Sequence, residues 1–208
     1  MTANRLGFWS SVGLVGVGVA YALSLAVGFA RHGLHEPITD PILAAMEVLT
    51  LLSAPAIAIL MAAVHDRALP ERKVYGALAL AFGTLCAGTT SAVHFIELTA
   101  ARQLGNSGIV WPSRTYAAEL LAWDVFLGLA LVFAAPVFES HGSERTLRRG
   151  LIVGGVLCLL GTIGPLVGDM QLQLVGVVGY AGVLPVVSLL LARLFRARSK
   201  QENRSGRS

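Results

Sequence analysis

The chain has 208 residues, 55% of them hydrophobic and only 13% charged, where a soluble domain carries about 25% charged residues. The formal charge of +4 does not indicate nucleic acid, because the basic residues sit in short connections and at the C-terminus, with no patch interleaved with aromatics. The composition points to an all-α integral membrane protein, a multi-pass chain of the cell membrane.

Residues 6–30 form an uncharged run of 25 residues. That exceeds the roughly 20 needed to cross a bilayer and the roughly 7–15 of a signal-peptide core, so it predicts a first helix that is retained. Gly13, Gly16 and Gly18 would let a neighbour approach it closely. A polar connection, RHGLHEPITDP, precedes a second helix over 42–64, which contains Glu47 and a Pro55 expected to kink it. After the charged turn HDRALPERK, a third helix is predicted over 74–101 and a fourth over 115–138. The loop between them carries Gly, Asn, Ser and Pro, and its Trp111 suits a membrane interface. A second basic turn, ESHGSERTLRR, leads to a fifth helix over 150–167 and a sixth over 172–194. Residues 1–195 are thus one six-helix domain, and 196–208 read as a disordered basic cytoplasmic tail. Gly150, Gly154, Gly164, Gly168, Gly176, Gly179 and Gly182 recur at helical spacing. They serve either close packing within the bundle or a homo-oligomer face. Cys86 and Cys158, each in the middle of an apolar run, read as small core residues.

Six helices put both termini on one side, together with thirteen of the sixteen Lys and Arg residues; only Arg31, Arg102 and Arg114 lie opposite. The positive-inside rule then makes both termini cytoplasmic. Cysteines introduced at Ser107 and Ser143 would fall on opposite sides of the membrane.

With that orientation, Glu47, His94, Glu97, Glu119 and Asp124 all fall in the outer half of the bilayer, while the inner halves of the helices carry no ionisable residue. His32, His35, Glu36, Asp40 and Asp169 lie in the outer connections. A charge inside a membrane segment costs a few kcal/mol even on the gentler scales, so the five need a reason to be there. At 100° per residue, Thr90, His94 and Glu97 share one face of the third helix. Tyr116, Glu119 and Trp123 share a face of the fourth, and Asp124 points about 140° away from Glu119.

The expectation is a polar, outward-facing pocket between helices two, three and four. It would act as a cofactor-independent acid–base enzyme, an isomerase or cyclase, on a lipidic or isoprenoid substrate. Glu47, His94, Glu97, Glu119 and Asp124 are the candidate catalytic groups. Tyr116, Trp123 and Thr90 are the candidate substrate contacts, the aromatic faces being suited to a carbocation. Membrane lipids and a hydrophobic small molecule are the expected partners, with no nucleic acid.

The alternatives are a small-solute or proton-coupled transporter and a non-catalytic membrane partner. Against transport, nothing ionisable continues the path inward. A metal on His94 and Glu97 would rest on one intramembrane histidine, so none is expected. In a purely structural reading, His94 ties helices together through Glu97 or Glu119, and Arg102 and Arg114 neutralise carboxylates at the rim. Ser113-Arg114 with Asp124 ten residues on has the outline of the last motif of membrane lipid phosphatases, but Leu120 stands where its histidine belongs. No GxSG, no CxxC and no mid-helix lysine is present.

Overall fold

Six helices follow one another in the computed structural model, which describes residues 2–33, 38–105, 110–142 and 144–205, with side chains as far as 201. His35, Glu36, Ser107 and Ser143 lie outside the described residues. The helices are α1 (Ala3–His32), α2 (Ile42–Arg67), α3 (Pro70–Ala101), α4 (Arg114–Val137), α5 (Glu144–Val167) and α6 (Met170–Gln201). Each is long and apolar enough to cross a membrane. No strand occurs among the described residues.

Local chemistry accounts for the helix starts. The Asp40 carboxylate accepts the Ala44 N–H, Ser113 Oγ accepts the Tyr116 N–H, and the Asp169 carboxylate accepts the Gln171 N–H. Such caps satisfy donors that have no partner within the helix. Gly168, at φ 78°, makes the left-handed turn from α5 into α6. α2 continues unbroken as helix through Pro55.

Most helix ends fall within a few residues of the sequence reading, and two boundaries differ by more. α5 begins at Glu144, not Gly150, because the Glu144 carboxylate has work at that helix start. It accepts the Glu139 N–H and pairs with Arg67. The sixth helix does not stop at Leu194 but continues to Ser205, so the segment expected to be a disordered tail is helical as far as that residue. Arg, Lys, Gln and Glu are good helix formers, and polarity alone does not argue for disorder.

Each helix packs on its neighbours in sequence, and α6 returns to α1, closing the bundle into a ring. α4 is the most enclosed, with 56% of its apolar window buried against 11% for α1. The apolar core gathers Ile57, Leu60, Met61 and Val64 of α2, Leu127 and Leu131 of α4, and Leu184, Val187 and Leu191 of α6. The outer surface is itself apolar, with Leu23, Leu52, Phe95 and Val186 all exposed.

Glycines set the close crossings. A Cβ on Gly155 would stand 2.7 Å from the Gly128 carbonyl, one on Gly161 2.7 Å from Gly176 Cα, and one on Gly179 2.8 Å from Cys158 Sγ. The regularly spaced glycines of α5 and α6 are therefore largely occupied inside the bundle, whereas Gly13 and Gly16 of α1 face open space. The ring closes where Gly7 lies against the buried Phe195 ring and Gly18 against Pro185. At the end of the bundle that carries both termini, Arg67 pairs with Glu144 and Arg72 with Glu139.

Three helices contain a wide π turn: Glu97–Ala101 in α3, Leu121–Phe126 in α4 and Val178–Val183 in α6. Such turns re-aim side chains and recur at functional sites.

Candidate functional site

All five ionisable candidates lie towards the end of the bundle opposite the termini, and the fold distributes them over three groups. The first is a clamp at the rim. Arg102, just past α3, donates from Nη1 to Glu47 Oε2 at 2.6 Å and to the Glu97 carbonyl at 2.9 Å. Its Nη2 and Nε reach the two Asp40 oxygens at 3.0 and 3.2 Å. Asp40 is half exposed, while the Glu47 side chain is only 2% exposed. The Arg102 hydrogen bond holds the Asp40 carboxyl below the usual carboxylate range. Asp40 and then Glu47 push the guanidinium's own pKa upward. Glu97 is buried at the first residue of the π turn. Arg114, the other cation expected at the rim, is exposed.

The second group is a hydrogen-bonded pair between α3 and α4. His94 Nε2 lies 2.9 Å from Glu119 Oε1, and the two side chains are only 5% and 14% exposed. Their far atoms, His94 Nδ1 and Glu119 Oε2, are buried without a hydrogen-bond partner among the described residues. Thr90, one turn before His94, is fully buried. Tyr21 of α1 comes within electrostatic reach of both Glu119 and Tyr116. Tyr116 is partly buried and sits against Trp111, with 6.1 Å between ring centroids.

The third group lies on the other side of α4. Asp124 is fully buried and accepts from Gln173 Nε2 of α6 at 3.4 Å. Gln173 also reaches the Tyr180 hydroxyl at 3.2 Å, and Tyr180 packs on Trp123 with centroids 5.4 Å apart. Asp124 Oδ1 has no partner among the described residues and faces the notch formed by Gly161 and Gly176.

Glu119 therefore faces His94, and Asp124 faces α5 and α6. The divergence expected from helical angle is present, with the α4 π turn beginning between the two residues. Glu47 joins Arg102 and not His94. Sequence reasoning did not single out Tyr21, Gln173 or Tyr180. The last two had a signal, since Gln173, Gly176 and Tyr180 share one helical face at spacings of three and seven. Among the described residues no group of three His, Cys, Asp or Glu side chains could hold a metal.

Chemically, the His94–Glu119 pair can share one proton along its hydrogen bond and present a second polar atom on each partner. No family model matches the chain, and no curated protein and no solved structure is significantly similar to it. The six helices, each long and apolar enough to span, are compatible with a multi-pass membrane protein.

Proposed function

We propose that the protein is an intramembrane acid–base enzyme that relocates a proton on a lipidic substrate, an isomerase that needs no cofactor. It sits in the cell membrane with both termini in the cytoplasm and its polar site in the outer half of the bilayer. The orientation follows from the thirteen-to-three split of Lys and Arg.

The reading is carried by one observation, the buried His94–Glu119 pair with Nδ1 and Oε2 both unpartnered. A pair that merely tied two helices together would need only its shared hydrogen bond, and Ser or Thr would supply that at lower cost. In the proposed step Glu119 delivers a proton to one carbon of a substrate double bond. The cation formed then loses a proton from a neighbouring carbon to the Glu119–His94 pair, which returns to its starting state. Atoms balance, and only the double bond moves. The face of Tyr116, one turn before Glu119, is suited to stabilise that cation. The grouping of Glu47, His94, Glu97, Glu119 and Asp124 towards one end of the bundle favours a one-sided site over a proton path across the membrane. The opposite half is filled by residues such as Leu131, Leu151 and Leu191.

The test is to incubate the purified protein with total membrane lipid in heavy water. The expected product keeps the carbon skeleton, changes its chromatographic retention and carries one solvent deuterium. Glu119→Gln and His94→Gln should each abolish it while melting within a few degrees of the parent in detergent. Equal deuterium uptake by Glu119→Gln would sink the proposal.

A further inference from the structure

At the end of the bundle that carries both termini, the first turns of α1 and the last turns of α6 flank a half-open pocket of about 200 Å³. Its lining is Arg5, Phe8, Trp9, Arg196, Ser199 and Lys200. Three cations and, among the described residues, no carboxylate face one space. None of the three is in an ion pair among the described residues, unlike Arg67, Arg72 and Arg102 elsewhere in the bundle. We infer that this cavity binds the phosphate headgroup of an anionic phospholipid. The inference is independent of the chemistry assigned to His94 and Glu119.

The local sequence builds the site from both helices. On α1, Arg5, Phe8 and Trp9 are spaced at i, i+3 and i+4 and share a face; on α6, Arg196, Ser199 and Lys200 repeat that spacing. Close approach of the two helices at Gly7 and Phe195 brings the faces together. The Ser199 hydroxyl adds a neutral donor. A volume several times the ~30 Å³ share of one water accommodates a phosphodiester.

The apolar surroundings favour a lipid over a free anion. Trp9 is 57% exposed and packs edge-on against Phe8, with centroids 5.1 Å apart. Leu6 and Val12 are exposed beside it on the outside of α1. An indole at the headgroup level with alkyl side chains around it suits the start of an acyl chain. Basic pockets between helices on the cytoplasmic side recognise headgroups in this way.

The experiment uses the full chain in mixed micelles of phosphatidylglycerol and phosphatidylcholine, read by native mass spectrometry and by melting temperature. Preferential retention of one phosphatidylglycerol is expected. Arg5→Gln, Arg196→Gln and Lys200→Gln should each weaken it about fivefold, the equivalent of about 1 kcal/mol per cation. Trp9→Ala should weaken it as well. A control pair, Arg145→Gln with Arg149→Gln, removes charge from exposed positions outside the cavity and should leave retention unchanged. All three charged positions of the cavity are exposed, so the variants should melt as the parent does in phosphatidylcholine alone. Equal weakening by the control pair would overturn the site. Stabilisation by inorganic phosphate as large as that by phosphatidylglycerol would overturn the lipid as its occupant.

Discussion

Arg102 does more at one point than any other residue in the chain. It bonds Asp40 before α2, Glu47 inside α2 and the last turns of α3, so one side chain ties the entrance of one helix to the exit of another. Replacing it with Gln would leave the Glu47 carboxylate buried without a cation, at a cost of about 2–3 kcal/mol. Asp40→Asn should cost under about 1 kcal/mol, because that partner is half exposed and solvent screens it. Asp40 also carries a pH signature. Its folded pKa is depressed by Arg102, so its contribution is present above the unfolded value of about 4 and is lost as pH falls through the lower folded value. Detergent melting curves of the parent should therefore decline below about pH 4. Asp40→Asn should decline less steeply over that window. Identical slopes would mean that the clamp contributes nothing.

At the scale of the element, the glycine crossings predict two opposite outcomes. Gly161→Ala would put a methyl group 2.7 Å from the backbone of Gly176 and 3.1 Å from Asp124 Oδ1, forcing α5 and α6 apart. Overpacking of this kind costs about 1–3 kcal/mol. Gly13→Ala meets nothing within 4 Å and should be neutral or stabilising by up to about 1 kcal/mol. Thermal melting separates the two, and similar losses for both would count against the close α5–α6 crossing. The six helices were legible in the sequence, because uncharged runs of this length leave little else to form. The divergence of Glu119 and Asp124 was legible too, from helical angle. Which neighbour each residue meets was not. That depends on ring order and on a π turn within Leu121–Phe126, and neither leaves a mark in hydropathy. The reach of α6 to Ser205 was hidden because its last turns are polar and were read as tail. Glu47 stood out because buried carboxylates are rare; Arg102, distant in sequence, meets its Oε2, while Oε1 has no partner among the described residues.

For the whole molecule, the predicted orientation can be tested at two exposed, described positions, Gln103 and Ser140. The native Cys86 and Cys158 are both buried. A cysteine at Gln103 should react with a membrane-impermeant thiol reagent on intact cells, and one at Ser140 only after the cells are opened. The reverse pattern would invert the bundle and move the Arg5, Arg196 and Lys200 cavity to the outside.

The closed ring also bears on the order of assembly. α1 packs against α6, with Gly7 and Phe195 in contact although they lie far apart in sequence. At ribosomal speeds of about 5–20 residues per second, α1 waits on the order of ten seconds or more for its second neighbour. Until then Gly7 lacks the Phe195 ring and Gly18 lacks Pro185. A chain released before α6 emerges would hold its histidine–glutamate pair but lack Gln173, which donates to Asp124, and Tyr180, which packs on Trp123.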